Sequence, residues 1–340
     1  MIYNIFIYFY NKYNIYRYCF IIFIINIYIL IIKKNILYII LLLDMKISLQ
    51  MKGRIKKIDK NLLEKLKSIV NAEIVEGFDD DAEIVIFSGY PEPGKKTVFM
   101  QSLSAGVNHV DFSKINDKIL ICSNADAYSI PVAEHVFALI LSHLKKICKF
   151  DYEIKNNIYK REFTESLYDM SIGILGYGGI GSEVARLAKA FNMKTYGFGR
   201  TVKKDNNIDY FTKDPNYIYE NSDIIIISLP LNKYTVDFIN KNNLNKIKGN
   251  IIVNVGRSEI VNHDDMLNYL KNNKNKFFLT DVWWNEPEIN DKIPENVVIT
   301  PHIAGMAKNY IDVPLIRAFN NVKNYLNGKP ENIVNRNDYI

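Results

Sequence analysis

The sequence predicts an α/β fold with two doubly wound parallel sheets, the second unit inserted into the first. Three observations predict it. Short apolar runs alternate with amphipathic helical stretches from Lys46 to about Ser123 and again from Ser171 to Thr300, the order that builds parallel sheets. One strand-like run leads straight into Gly176, Gly178 and Gly181 and then into a helical pattern. After His302 a last helical stretch, roughly Tyr310–Leu326, has its natural place back against the first unit.

Residues 1–43 stand apart from everything that follows. They contain Ile, Tyr, Asn, Phe, Leu and Lys, one Arg, one Cys and the initial Met. Most of these residue types have codons rich in A and T, as translated intergenic DNA would, so the expectation is a mis-assigned start with Met45 or Met51 as the true one. A membrane anchor is the alternative. Tyr18 to Ile32 is mostly apolar, but Asn26 interrupts it and Lys33-Lys34 ends it short of the roughly 20 residues a span needs. No small-residue cleavage site follows, which argues against a signal peptide. Of the formal net charge of +6, half lies in residues 1–44. What remains leaves no electrostatic footprint for nucleic acid. Cys19, Cys122 and Cys148 form no metal or redox spacing, so no metal is expected. Cys122 and Cys148 sit in apolar patterns and read as core residues, which suits a reducing cytoplasm.

In the first unit Lys46–Met51, Glu83–Phe87, Thr97–Gln101 and Lys118–Cys122 read as strands. Asp59–Val70 reads as a helix that buries Leu62, Leu63, Leu66 and Val70. Ser104–Asp111 follows the Thr97–Gln101 strand, at a carboxyl end where open α/β sheets bind ligands. Asn124–Pro131 turns the chain, and one long helix is expected from Pro131 to about Phe150.

The second unit opens on Ser171–Leu175 and the glycine run. The first glycine permits a tight turn, the second lets a pyrophosphate approach the backbone, and the third lets the helix pack close to the strand. Free N–H groups and the positive end of the helix dipole then hold the phosphates. A purely structural turn is the bland alternative, but a place between strand and helix is what a dinucleotide site requires. Ile180, Val184, Leu187, Ala188 and Phe191 mark the buried face of that helix. Lys194–Phe198, Asp223–Ser228, Asn250–Val255, Phe277–Asp281 and Val297–Thr300 read as the further strands.

Three of those strands are followed by a side chain able to do chemistry: Arg257, Glu286 and His302. Singly they read as a surface arginine, a helix-start acid and a loop histidine. Delivered together to one crevice beside the glycine turn, they form a coherent set. The end of the second strand bears on the cofactor. NAD-specific sites carry an Asp or Glu there to accept hydrogen bonds from the ribose hydroxyls. Here Gly199 stands in that place, followed by Arg200 and Thr201, with Lys203 and Lys204 behind. No carboxylate repels a 2′-phosphate and Arg200 can pair with one, so NADP(H) is expected to be preferred, with NAD(H) possible. The bland alternative has Arg200 only covering the adenine face.

These stretches resemble the D-isomer-specific 2-hydroxyacid dehydrogenase family. The resemblance rests on Gly176–Gly181, Ser228-Leu-Pro-Leu231, Val253-Asn-Val-Gly-Arg-Ser258, Asp281-Val-Trp-Trp-Asn-Glu-Pro287 and Thr300-Pro-His-Ile-Ala-Gly305, and Val132–Leu139 resembles the family's interdomain helix. It implies a Rossmann cofactor domain, 124–302, inserted into a smaller flavodoxin-like substrate domain made of 45–123 and 303–340, with 1–44 as an extension. It implies that Arg257 grips the substrate carboxylate and carbonyl, that His302 passes the proton, and that Glu286 orients His302 and favours its charged form. The backbone of Ala105, Gly106 and Val107 would hold the carboxylate from the other domain, and Asp281 would meet the nicotinamide carboxamide. Further cofactor contacts would come from Gly176, Gly178, Gly179, Ile180, Gly181, Arg200, Thr201, Leu229, Pro230, Val255, Gly256, His302 and Gly305. Ser258, Asn232, Met306 and Ala307 depart from the usual pattern without removing a catalytic group. The implied protein is a cytoplasmic homodimer that reduces glyoxylate, hydroxypyruvate or a related 2-oxo acid. The alternatives are phosphoglycerate or phosphite oxidation, with Tyr90–Lys96 reaching a phosphate, and a non-enzymatic dinucleotide-sensing corepressor.

Overall fold

The computed structural model describes residues 45–51, 58–202 and 205–339. The expectations for residues 1–44, Lys203 and Lys204 lie outside the described residues. Within them the chain forms two sheets. The first takes β1 (Lys46–Met51), β2 (Glu73–Glu76), β3 (Ile84–Ser88), β4 (Phe99–Ser102) and β5 (Leu120–Cys122) in the order β2-β1-β3-β4-β5, with α1 (Lys60–Val70) between β1 and β2. Two helices, α2 (Ser129–Leu144) and α3 (Ile147–Lys155), lead to the second sheet. There β6 (Ser171–Leu175), α4 (Gly179–Ala190), β7 (Lys194–Phe198), β8 (Tyr210–Thr212), α5 (Pro215–Asn221), β9 (Ile224–Ile227), α6 (Lys241–Leu244), β10 (Ile251–Asn254), α7 (His263–Asn272), β11 (Phe277–Thr280) and β12 (Val297–Ile299) follow in turn. The strand order is β12-β11-β10-β9-β6-β7-β8. Finally α8 (Val313–Leu326) returns to the first sheet, where Leu315, Ala318, Phe319 and Val322 join Ile47, Leu49, Leu66 and Phe99 in one core.

Why these residues make parallel strands is plainest at β9. All four isoleucines are buried, and the strand pairs in parallel with β6 on one side and β10 on the other. A central strand covered on both faces needs an unbroken apolar run rather than alternation. Ile224 and Ile226 enter the core under α2 and α4, with Val136, Ile140 and Val184. Ile225 and Ile227 point the other way, to a core with Met266, Leu270 and Trp283. That split follows from the two-residue side-chain period of a strand.

Several sequence expectations need correction. The single helix from Pro131 to about Phe150 is two helices, because Lys146 adopts a left-handed conformation (φ 53°) that starts α3 in a new direction. Apolar spacing runs on through Ile147 and Phe150, and no Gly or Pro marks the break. Cys122 is buried in the core, but Cys148 is exposed, because none of the residues of α3 is buried. Strands β2 and β8 were not expected. Both are short edge strands, and the Glu-Ile-Val-Glu of β2 carries no buried residue. The last helix begins at Val313 rather than Tyr310, after a 3-10 turn at Lys308–Tyr310.

The sheet order places the site. Beyond β6 the chain steps outward through β7 and β8, then returns to β9 on the other side of β6 and steps away through β10, β11 and β12. The order reverses between β6 and β9. The carboxyl ends of these two strands therefore open a crevice with no connection crossing it, where α/β sheets take their ligands.

Candidate active site

The glycine turn at the end of β6 is specified position by position. Gly176 has φ +101°, and a Cβ on it would lie 2.8 Å from the Leu229 backbone. A Cβ on Gly181 would lie 2.4 Å from the Gly176 carbonyl, so the helix can approach the turn only without a side chain there. At Gly178 nothing stands within 4 Å of the added atom, leaving open space at the start of α4. That helix begins on Gly178 with no side-chain cap. Its first N–H groups are left for an anion. An open glycine and an uncapped helix start fit a pyrophosphate. A recess of about 370 Å³ adjoins the turn, lined by Gly178, Gly179 and Ser182 of the second unit, by Asp126 and Ser129 of the connecting segment, and by Arg317 of α8. Ile180 is half-buried beneath the turn and packs on the core of the second sheet.

Neighbouring strand ends are tied to this turn through Leu229, whose backbone touches Gly176 and whose carbonyl lies 2.9 Å from where a Gly256 Cβ would be. Pro230 is exposed and its carbonyl accepts from Thr235 Oγ1 at 2.6 Å. Val255 is buried and its N–H donates to Ile227 at 3.1 Å. Arg257 then leaves the end of β10 on a turn braced by Asn254. That side chain, fully buried, donates to the Arg257 carbonyl and accepts from the Gly256 N–H, both at 3.0 Å. Arg257 Nη1 donates to the Gly256 carbonyl at 2.8 Å. Its guanidinium lies against the loop of the first unit, where a Cβ on Gly106 would be 2.8 Å from Nη2. Burial lowers the Arg257 pKa, opposed by Glu259, Glu286 and Tyr339. A guanidinium titrates so far above neutrality that it stays charged.

His302 and Glu286 meet directly. His302 Nδ1 and Glu286 Oε1 are 2.5 Å apart. His302 has φ 53°, the left-handed region that non-glycine residues enter only where their surroundings insist. Those surroundings are Asp281. It is 2% exposed, and its Oδ1 accepts from Thr300 Oγ1 at 2.6 Å and the Ile303 N–H at 2.9 Å, while Oδ2 accepts from the Ala304 N–H at 2.7 Å. His135 of α2 completes the clamp, with Nε2 2.8 Å from Thr300 Oγ1. Asp281 thus holds the loop that presents His302. For Glu286, burial raises the pKa, but the hydrogen bond and charge of His302, the Trp283 N–H and the charge of Arg257 outweigh it. The carboxyl is held below its ordinary value.

On the opposite wall Ala105 and Gly106 are partly exposed and Val107 is buried. The loop is fixed by Ser102 Oγ, which accepts from the Ser104 N–H at 2.9 Å, and by Tyr128, whose hydroxyl donates to the Leu103 carbonyl at 2.9 Å. A Cβ on Gly305 would sit 3.0 Å from the Tyr128 ring, so Gly305 packs on the segment joining the two units. Further along the loop, burial lowers the pKa of His109, and the charge of Arg257 acts the same way against a hydrogen bond to Gly89.

At the far end of the crevice Arg200 and Thr201 are exposed. Arg200 Nη1 lies 3.5 Å from Asp338 Oδ2, so the expectation that no carboxylate stands at this end of the crevice is corrected by a residue 138 positions away in the chain. The lysines of the Tyr90–Lys96 loop are engaged, Lys95 with Asp80 and Lys96 with Asp81. Among the described residues no group of three or more His, Cys, Asp or Glu side chains is placed to hold a metal, and no helix is long and apolar enough to cross a membrane. Asn254, Thr300, His135 and Asp338 were not singled out from sequence. Asn254, Thr300 and His135 lie inside the runs that carry the family resemblance, and Asn254 is also a polar residue at the end of an apolar strand; Asp338 lies outside all of them.

Residues 137–304 match the family model described as D-isomer specific 2-hydroxyacid dehydrogenase, NAD binding domain. An erythronate-4-phosphate dehydrogenase of Wigglesworthia glossinidia brevipalpis is 32% identical over 286 residues, covering 81% of this chain and 70% of the relative. The chain belongs to the D-isomer-specific 2-hydroxyacid dehydrogenases. It is accordingly an oxidoreductase that uses a nicotinamide dinucleotide. The glyoxylate reductase of Pyrococcus furiosus is 28% identical over 261 residues, covering 72% of this chain and 75% of the relative. Among solved structures, a glycerate dehydrogenase related protein from Thermoplasma acidophilum is 37% identical and superposes with a TM-score of 0.64, covering 83% of this dehydrogenase and 99% of that chain.

Proposed function

We propose that this dehydrogenase reduces a small 2-oxo acid of the glyoxylate or hydroxypyruvate class to the D-2-hydroxy acid, preferring NADP(H) and accepting NAD(H). The observation that carries it is the His302–Glu286 pair at 2.5 Å, with Arg257 near enough to act on the Glu286 charge and facing Gly106 across the crevice. In this assignment 124–302 is the cofactor domain, and 45–123 with 303–340 the substrate domain. Arg257 binds the substrate carboxylate and the carbonyl oxygen through its two-pronged donor set. The backbone of Ala105, Gly106 and Val107 meets the carboxylate from the other side. The nicotinamide, when bound, supplies the hydride. His302 carries its transferable proton on Nε2, since Nδ1 faces Glu286, and gives it to the oxygen as the carbonyl carbon is reduced. Glu286 fixes the ring and stabilises the imidazolium between turnovers. The close approach of Gly106 to the guanidinium favours a small acid. Lys95 and Lys96 of the Tyr90–Lys96 loop are ion-paired with Asp80 and Asp81, which supports a substrate without a phosphate over phosphoglycerate or phosphite.

Arg200, at the end of β7, carries the NADP(H) preference. A Cβ on Gly199 would come 3.2 Å from the rim of the Phe211 ring, and an acid fits there if the ring yields slightly. Exposed Ile147, Tyr152, Ile154, Tyr159 and Phe163 form an apolar stretch along and after α3 that supports a homodimer. Free Cys122 and Cys148 support a reducing, cytoplasmic setting.

The test is kcat/KM for glyoxylate, hydroxypyruvate and larger 2-oxo acids with NADPH and with NADH, wild type beside Arg200→Ala and Gly199→Asp. Arg200→Ala raises KM for NADPH far more than for NADH, and Gly199→Asp moves the preference toward NADH. Dinucleotide binding without turnover of any 2-oxo acid would point instead to a sensor.

A further inference from the structure

One segment that the proposed chemistry leaves unused lies across the cofactor end of the crevice. Ile333 forms an antiparallel bridge with Cys122, and the Val334 N–H donates to the Ile121 carbonyl at 2.9 Å. Arg336 donates to the carbonyls of Ile115 at 2.8 Å and Asn116 at 2.9 Å. These bonds anchor the segment on the first unit. Two residues later it reaches the second. The Lys233 N–H donates to the Asp338 carbonyl at 3.0 Å, and Asp338 Oδ2 lies 3.5 Å from Arg200 Nη1. Arg200 follows β7, Lys233 belongs to the loop that follows β9, and β6 with its glycine turn lies between those two strands. Asp338 therefore spans the two strand ends that flank the turn.

Its carboxylate is held in place. Oδ1 accepts from Asn335 Nδ2 at 2.8 Å, and the next residue, Tyr339, lays its ring on Phe112 with centroids 5.4 Å apart. The Asp338 side chain is only 12% exposed, against 80% for Arg200. A site that takes NAD keeps a carboxylate at the end of its second strand. Gly199 stands there in this chain, yet Asp338 brings a carboxylate to the adjoining arginine from 138 residues further along.

We propose that Asp338 limits the NADP(H) preference that Arg200 confers: its carboxylate shares the Arg200 guanidinium and so opposes the 2′-phosphate of NADP(H), while leaving a cofactor without that phosphate unopposed. This rests on the proposed role of Arg200. Asp338 acts through that arginine and is a positioning residue. The carboxylate and the 2′-phosphate compete for the donors of one guanidinium, so the opposition depends on Arg200.

The experiment measures kcat/KM with NADPH and NADH for wild type, Asp338→Asn, Arg200→Ala and the double variant, together with inhibition by 2′,5′-ADP and 5′-AMP. Asp338→Asn is expected to raise the NADPH-to-NADH ratio about tenfold, equivalent to about 1.4 kcal/mol. The change should fall in KM for NADPH rather than in kcat, and 2′,5′-ADP should tighten relative to 5′-AMP. In the Arg200→Ala background the effect should vanish. Asp338→Ser serves the same purpose if the amide disturbs the turn, and Asp338→Glu, keeping the charge, should restore the ratio toward wild type. An unchanged ratio, or equal losses with both cofactors, makes the segment a structural strap and overturns the proposal. A wild type that prefers NADH tenfold removes the NADP(H) preference alone, because the shift on Asp338→Asn is read relative to wild type.

Discussion

At the scale of single residues the site is a matter of charge placed against charge. His302→Ala should lower kcat by about 10²–10⁴-fold, the usual worth of a general acid–base group. Near wild-type kcat in that variant would mean another group carries the proton. Arg257→Lys should cost on the order of 10²-fold in kcat/KM, because an ammonium cannot reproduce two parallel donors aimed at developing charge. Glu286 makes a pH prediction. Its folded pKa lies below the ordinary carboxylate value, so its anion is present throughout the neutral range. Removing that anion in Glu286→Gln withdraws support from the imidazolium, and reduction should fail at a lower pH than in wild type. A kcat profile against pH decides this, and superimposable profiles count against the pair. Stability follows the same sign. A depressed carboxyl pKa contributes stability above the unfolded value of about 4.3, lost as pH falls through the folded value. Acid unfolding of Glu286→Gln should lack that component.

At the scale of elements, turns rather than strands decide the geometry. Asn254 braces the Arg257 turn from inside, with both 3.0 Å bonds made to backbone. Asn254→Leu keeps the volume and removes both bonds. It should leave the arginine present but misplaced, at a cost of about 10²-fold in kcat/KM. Full activity would show that the turn holds without it. Gly181→Ala puts a methyl 2.4 Å from the Gly176 carbonyl, which is backbone and cannot swing aside. It should destabilise by about 1–3 kcal/mol, the usual cost of overpacking, and weaken dinucleotide binding by lifting α4 off the turn. Denaturant melts and cofactor titration would measure both, and an unperturbed melt would mean the helix shifts freely.

At the scale of the whole molecule, the two sheets meet through α8 and the segments around Tyr128 and Asp338. The exposed apolar stretch around α3 belongs to the second unit and faces away from any core. Ile154→Glu with Phe163→Glu should convert a dimer into a monomer in sedimentation, since both side chains are solvent-exposed in the single chain. A wild type that sediments as a monomer at micromolar concentration removes the homodimer proposal.

What the sequence by itself determined is whatever depends on local spacing. The glycine run between Leu175 and Val184 needed only its neighbours to be legible, because each glycine answers a backbone constraint within a few residues. The four isoleucines of β9 declared a strongly apolar strand for the same reason. Arg257, Glu286 and His302 were legible as strand-end residues, since a parallel sheet delivers every carboxyl end to one edge. Only the tertiary structure decided how those side chains are held. Asp281 grips the His302 loop across 22 residues, His135 reaches Thr300 across 165, and Asp338 reaches Arg200 across 138. No period or spacing encodes such contacts. They exist because folding brings distant segments within a few ångströms of buried or half-buried charge, and a lone Asp or His in a sequence carries no mark of the partner it will meet.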